Sequence, residues 1–163
     1  MIRFLVFALG FFGLLIGATL SLFTKEELKP GRKYFILLEK ALLLAVSLVI
    51  VFYVKDFFVF FVLGFFAGFV FRRIYFYLGL ALPLTLGSFL ILLSSLIFVF
   101  GMPHGTLIAG ELKKRKKIVK EMVFSGIFFF VAILLAYFSG YKPLLMVASG
   151  ALIAIAALGF KKR

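Results

Sequence analysis

The chain contains no cysteine, and it also lacks asparagine and glutamine. Without cysteine there is no disulfide, no thiolate ligand for a metal and no cysteine nucleophile. Without asparagine there is no acceptor for N-glycosylation. The joint depletion of these three residues is typical of proteins from organisms that grow at high temperature, so we interpret the chain as that of a thermophile.

Polar residues are scarce, because 65% of the 163 residues are hydrophobic and the mean hydropathy is +1.24. Soluble domains contain roughly 45–50% apolar residues, and a chain of this length could not bury such an excess in water. We therefore predict an all-α, polytopic protein of the cell membrane. Residues 1–163 would form a single membrane domain in contact with the lipid bilayer.

Acidic residues are few, with six Asp and Glu against 19 Lys and Arg, which gives a net charge of +13. A strongly basic chain either binds nucleic acid or carries basic loops beside membrane spans. The basic residues form clusters between apolar runs, as at Lys113, Lys114, Arg115, Lys116 and Lys117. We therefore expect no nucleic-acid partner, and we expect this cluster to contact anionic lipid headgroups at the membrane surface.

Six apolar runs divide the chain, and a transmembrane helix needs roughly 20 apolar residues. The runs cover residues 2–23, 34–54, 57–71, 74–100, 122–138 and 144–160. They predict about six transmembrane helices. The first run is longer than the apolar region of a cleavable signal peptide and no small-residue cleavage site follows it, so we interpret it as a retained span.

The chain also shows a weak internal repeat, because Thr19-Leu20 and Thr106-Leu107 are 87 residues apart and similar charged segments follow both. This spacing suggests two three-span repeats, residues 1–73 and 74–163. Since three is odd, the repeats would have opposite orientations if every run crossed once, which is the inverted-repeat geometry. With both termini in the cytoplasm, 11 Lys and Arg would lie on that side and eight on the other, which is a weak preference under the positive-inside rule.

The fourth run is unusual, because it has about 27 residues and contains Pro83, Thr85, Gly87 and Ser88 near its middle. Proline removes a backbone donor and glycine adds backbone freedom, so this cluster predicts a kinked or broken helix. If the run instead formed a re-entrant pair of half-helices, both basic loops and the C-terminal tail would share one side. Transporters place binding sites at broken helices, so these four residues are pathway candidates, with close helix packing as the alternative.

Ionisable residues near the membrane interior are the other pathway candidates, because charges inside a bilayer are costly and commonly functional. Glu39 lies in the second run, and His104 is the only histidine. Each also has a structural interpretation. Glu39 would sit beside Lys40 at the membrane interface, and His104 would lie in a turn that ends a span at Pro103.

Two small-residue motifs predict close contacts between helices. They are Gly13-x-x-x-Gly17 and Gly64-x-x-x-Gly68. The contacts would form either within one chain or between chains. A homo-oligomer and a larger membrane complex therefore both remain open.

The sequence contains no HExxH, GxSxG or phosphate-loop motif and no cluster of metal ligands, so we expect neither an enzyme nor a bound metal or cofactor. Our leading hypothesis is a small transporter or channel built from two inverted three-helix repeats. The alternatives are a non-catalytic structural or assembly subunit of a membrane complex and a lipid-binding membrane protein.

Overall fold

A computed structural model describes residues 2–23, 28–54, 58–112 and 115–158, and the described residues form seven α-helices. The helices are α1 (Ile2–Phe23), α2 (Leu28–Tyr53), α3 (Phe58–Val70), α4 (Ile74–Ala81), α5 (Ser88–Glu111), α6 (Arg115–Ser139) and α7 (Pro143–Leu158). No β-strand occurs within these ranges. The all-helical class predicted from the sequence is therefore confirmed.

Three of the described helices are long and apolar enough to cross a membrane. The segments that meet these criteria, in α2, α5 and α6, are Pro30–Tyr53, Ser88–Glu111 and Lys116–Ser139. The shorter apolar segments in α1, α3 and α7 are Leu5–Ser21, Phe58–Val70 and Pro143–Leu158. Helices suit these runs because a backbone surrounded by lipid must satisfy its own hydrogen bonds. The chain is a helical membrane protein.

The fourth apolar run is broken, as its composition predicts. α4 ends at Ala81, residues 82–87 are non-helical, and Gly87 has a φ of 61° in the left-handed region that favours glycine. The predicted turn at Pro103 is wrong, because α5 continues through this residue to Glu111. A proline removes only one backbone donor, and the rest of this long apolar helix keeps its internal bonds.

α1 packs along α5 through closely approaching backbones. A Cβ atom on Gly13 would overlap the backbone of Phe98, and one on Gly17 would overlap the backbone of Met102. The predicted packing motif in α1 therefore lies at this contact, where small residues allow the close approach. Because the residue numbers of both helices increase together along the contact, α1 and α5 are parallel.

α3 and α7 form a second contact of the same kind. A Cβ atom on Gly64 would overlap the backbone of Val147, and one on Gly68 would lie 2.6 Å from the carbonyl oxygen of Ala151. The motif in α3 therefore also lies at a helix contact within the chain. The residue numbers again increase together, so α3 and α7 are parallel.

The remaining helices complete one continuous apolar core. α2 lies between α5 and α7, while α4 packs against α6 and α7. The hydroxyl of Ser149 on α7 donates a hydrogen bond to the carbonyl of Ser47 on α2, at 3.1 Å. Gly79 allows α4 to approach the backbone of Phe129 on α6.

The predicted inverted arrangement is not confirmed, because inverted repeats would make α1 antiparallel to α5 and α3 antiparallel to α7. An ion pair between Arg32 and Glu111 joins the beginning of α2 to the end of α5. The beginning of α2 and the end of α5 therefore lie at the same end of the bundle. α1 is parallel to α5 and α3 is parallel to α7. The re-entrant alternative is not confirmed either, because α5 is a full-length candidate span rather than a half-helix. α4 has only eight residues, and the non-helical segment after it returns the chain to the end where α1 begins.

The helix boundaries place α4 outside both groups of three helices. α5, α6 and α7 begin 86, 87 and 85 positions after α1, α2 and α3, respectively. We call α1–α3 the first half and α5–α7 the second half. α4 is an insertion between the halves, whereas the sequence interpretation assigned these residues to the second repeat.

Candidate functional site

Most buried polar side chains in the described structure are hydroxyls that bond to helix backbones. The hydroxyl of Thr106 donates to the carbonyl of Gly17 at 2.9 Å, and that of Ser47 donates to the carbonyl of Leu43 at 2.9 Å. These bonds satisfy polar groups in apolar surroundings. They account for the burial of these residues through packing alone.

Glu39 and His104 are the only buried acidic and basic side chains among the described residues, with exposures of 1% and 9%. Nδ1 of His104 is hydrogen-bonded to Oε1 of Glu39, which joins α5 to α2 across 65 positions of sequence. The structure therefore brings together two of the six pathway candidates.

The spacing of apolar residues on α2 explains why Glu39 faces the interior. Four residues follow one another at helical spacing and are all buried, namely Glu39, Leu43, Val46 and Ile50. Lys40 points away from this stripe and is partly exposed. Glu39 therefore lies on the core-facing side of the helix, away from the surface that Lys40 faces.

The pair lies well below the end of the bundle. His104 is seven residues from the end of α5, which corresponds to about 10 Å at the rise of an α-helix. Both residues fall within segments apolar enough to cross a membrane. A pair with opposite charges is neutral overall, but loss of one partner would leave an uncompensated charge in apolar surroundings.

A third polar group faces this pair from α4. Tyr75 is 3% exposed, and its ring centroid lies 5.6 Å from that of His104. Its hydroxyl has no hydrogen-bond partner in the structure and interacts electrostatically with Glu39. Phe100 stacks on the imidazole at a centroid distance of 5.2 Å. We call Glu39, Tyr75 and His104 the buried polar site.

The chain matches no protein-family model, no curated protein and no solved structure. Its function must therefore be inferred from the buried polar site and from the arrangement of the helices. Among the described residues, no three His, Cys, Asp or Glu side chains form a group that could hold a metal ion. The chemistry that the site offers is that of one carboxylate, one imidazole and one phenol.

The other four pathway candidates lie together at the opposite end of α5. Thr85 is buried, and its hydroxyl donates to the carbonyl of Leu82 at 2.9 Å. Pro83 is half-buried, and Gly87 and Ser88 are exposed. Ser88 and His104 are 16 positions apart on one helix, about 24 Å. These four residues lie at the junction between α4 and α5, and they do not belong to the buried polar site.

The end of the bundle at which α5 ends and α6 begins is rich in basic residues. Lys116 and Lys117 are exposed in the first turn of α6. The other members of the predicted cluster, Lys113, Lys114 and the side chain of Arg115, lie outside the described residues. A cavity of about 320 Å³ opens nearby, with walls formed by Ile108, Glu111, Leu112, Lys117, Lys120 and Glu121. Arg73 pairs with Glu121 at 3.2 Å, which links α4 to α6 at this end.

Sequence reasoning missed Tyr75. It lies in an aromatic stretch with Phe76 and Tyr77, where nothing distinguishes one ring from the next. Only the break after α4 places this short helix beside His104. The signal that could have found it is the predicted break itself, which implies that the segment before it packs inside the bundle.

Proposed function

We propose that this protein is a multi-pass, non-enzymatic transporter that couples movement of a small solute to movement of a proton. The observation that carries the proposal is the Glu39–His104 pair inside the apolar bundle. Ionisable groups at membrane depth are retained mainly where they bind ions, protons or substrates. Histidine changes its charge between roughly pH 5 and 8, so the pair is suited to bind and release a proton.

The arrangement of the two halves supports this proposal. Parallel three-helix repeats, related by an axis along the membrane normal, occur in secondary transporters. Here Glu39 lies in the first half and His104 in the second. A change in protonation would therefore alter a contact between the halves, and relative movement of the halves would expose the site to one side or the other.

The alternative of a structural or assembly subunit depends on the absence of ionisable groups inside the bundle. Glu39 and His104 remove that argument, since a subunit that only packs against a partner needs neither. A lipid-binding function would need a groove near Pro83. The cavity at the described basic end is on the opposite side of the bundle from this residue.

The proposal includes an orientation. Of the described basic side chains near the helix ends, seven lie at the end where α5 meets α6 and one lies at the other end. The seven are Arg32, Lys33, Arg72, Arg73, Lys116, Lys117 and Lys120, and the single one is Lys142. Under the positive-inside rule the first end faces the cytoplasm.

Single-cysteine labelling would test this orientation, because the natural chain has no cysteine. In intact cells, a membrane-impermeant maleimide is expected to label Tyr141→Cys and to spare Lys33→Cys and Lys117→Cys. Permeabilised cells should show labelling at all three positions, which are exposed. Labelling of Lys33→Cys and Lys117→Cys from opposite sides would instead restore the inverted arrangement.

Transport would be tested in liposomes that contain the purified protein and an internal pH-sensitive dye. We expect at least one solute from a panel of small cations, anions, amino acids and sugars to drive proton movement. Glu39→Gln should reduce this flux to that of protein-free liposomes, since the amide lacks the negative charge that pairs with a protonated His104.

Glu111→Gln is the matched control for that experiment. It neutralises a carboxylate of the same kind that pairs with Arg32 at the end of the bundle, outside the buried polar site. This variant should keep at least half of the wild-type flux. Equal flux in Glu39→Gln and wild type, or no flux with any solute, would contradict the proposed function.

A further inference from the structure

The hydroxyl of Tyr75 is a buried polar group without a hydrogen-bond partner in the structure. Folded proteins rarely leave such a group unsatisfied, and each instance calls for a water, an ion or a ligand as an explanation. The ring of Tyr75 lies 5.6 Å from that of His104, which is bonded to Glu39, so the missing partner would lie beside this pair. The unsatisfied phenol of Tyr75 and the buried Glu39–His104 pair are separate observations, and both indicate a ligand at the buried polar site.

The buried polar site offers mostly acceptors. The carboxylate of Glu39 accepts hydrogen bonds at both oxygens, and the phenol oxygen of Tyr75 accepts one. Aromatic rings form the walls, with Phe100 and Phe129 at centroid distances of 6.2 and 6.0 Å from the ring of Tyr75. Such faces attract cations. A ligand that donates several hydrogen bonds and carries a positive charge matches these groups.

The charge of the site also favours a cation. The titratable and charged side chains described on the helices around it are Arg32, Lys33, Tyr34, Glu39, Lys40 and Tyr53 on α2, Arg73 at the start of α4, Tyr75 and Tyr77 on α4, His104 and Glu111 on α5, and Lys116, Lys117, Lys120, Glu121 and Tyr137 on α6. The described side chains of α1 and α7 include none. Arg73 and Glu111 are paired elsewhere at the end of the bundle. At membrane depth, an ionised Glu39 therefore needs one positive charge, either a proton on His104 or a bound cation.

We propose that the buried polar site binds an ammonium-type monocation, either ammonium or a primary amine, in exchange for the proton of His104. This inference rests on the proposed function and names its substrate class. The cation enters, the Nε2–H bond of the imidazolium breaks and its proton leaves to water, while Nδ1–H keeps its hydrogen bond to the ionised Glu39. One positive charge replaces another, so the site stays neutral. Tyr75 accepts a hydrogen bond from the bound nitrogen.

A metal cation fits these groups less well than an ammonium-type ion. Alkali and alkaline-earth ions bind several oxygen ligands; calcium, for example, takes six to eight. The described side chains of the site supply two oxygens from Glu39 and one from Tyr75. Three N–H donors, in contrast, match these three oxygens, each of which can accept a hydrogen bond.

Isothermal titration calorimetry of the full chain in lipid nanodiscs would test the inference. Methylammonium chloride is titrated at one pH in two buffers that differ in ionisation enthalpy. The difference between the two binding enthalpies gives the number of protons released. We expect about one proton released per cation bound in wild type. Glu39→Gln should abolish binding, and Tyr75→Phe should weaken it about tenfold through the loss of one hydrogen bond to a charged group.

Tetramethylammonium is the matched ligand control, because it carries the same charge without an N–H donor. It should bind more weakly than methylammonium, and Tyr75→Phe should leave its affinity unchanged. Tyr75→Phe removes only an unsatisfied hydroxyl, so its folding should be intact, which circular dichroism and size-exclusion chromatography would verify.

Several outcomes would overturn the inference. They are methylammonium binding without proton release, an equal effect of Tyr75→Phe on both ligands, and tighter binding of sodium or potassium. If no monocation binds but another solute drives Glu39-dependent proton flux, the substrate class is wrong and the proposed transport function stands. If methylammonium binds with proton release but no flux occurs in liposomes, the site is as proposed and transport is wrong.

Discussion

Replacing His104 by leucine should lower the free energy of unfolding by about 3–5 kcal/mol, because it leaves a buried charge without its partner. Glu39 is 1% exposed, so its carboxylate cannot turn to water without opening the bundle. Leucine fills part of the space of the imidazole but offers no hydrogen bond. The measurement is an unfolding titration in mixed micelles, followed by the helical signal in circular dichroism.

A double-mutant cycle provides the control for this effect. Glu39→Leu alone leaves a histidine that can stay neutral, so it should cost less, about 1–3 kcal/mol for an unsatisfied polar group. The variant with both substitutions should be more stable than His104→Leu alone. If His104→Leu costs less than about 1 kcal/mol, the two side chains do not form a buried charged pair.

Substitution of Gly13 and Gly17 by alanine should destabilise the contact between α1 and α5 by about 1–3 kcal/mol at each position. The added methyl groups would overlap backbone atoms of Phe98 and Met102. Backbone atoms cannot rotate away as the end of a side chain can, so the two helices must separate. The free energy of unfolding and the thermal midpoint should both fall, and the double variant should show the larger loss.

Gly10→Ala is the matched control on the same side of α1. Its Cβ atom would lie 3.4 Å from Cγ2 of Ile97, a side-chain atom that can yield by a few tenths of an ångström. Alanine also has the higher helix propensity, by up to about 1 kcal/mol. We expect Gly10→Ala to be neutral or slightly stabilising. A loss equal to that of Gly13→Ala would mean that the helices do not approach as closely as described.

The sequence predicted the helices well because apolar runs in a membrane leave the backbone few alternatives. It also located the break near Pro83 and Gly87, where local chemistry decides the conformation. The end of α5 was misplaced at Pro103, because the effect of one proline depends on whether the neighbouring turns are held by packing. Here Phe100 and Thr106 are buried on either side of it.

The direction of the helices could not be derived from the sequence. The argument from odd numbers assumes that every run crosses the membrane once, and α4 violates that assumption with eight helical residues followed by a non-helical link. α4 and this link together carry the chain from one end of the bundle to the other, and α5 then crosses back. The count of Lys and Arg under the six-span prediction therefore assigned residues from one end of the bundle to both sides of the membrane. This explains why 11 residues against eight favoured neither orientation strongly.

The buried polar site was predictable only in part. Glu39 and His104 stand out as rare ionisable residues, but their contact spans 65 positions and depends on the packing of α2 against α5. The sequence contains five other tyrosines and 25 phenylalanines, and nothing in it distinguishes Tyr75 from them. Composition identifies rare groups, whereas three-dimensional packing decides which of them meet.

The offset of about 87 residues between the halves has a consequence for stoichiometry. At that offset the position that matches Glu39 is Gly126, and the position that matches His104 is Gly17. A side chain at Gly17 would overlap the backbone of Met102, and a Cβ on Gly126 would lie 3.0 Å from the ring of Phe11. The two halves therefore share a scaffold but do not both carry the pair. Each chain holds one Glu39–His104 pair, so under the proposed function any cooperativity would have to arise between chains.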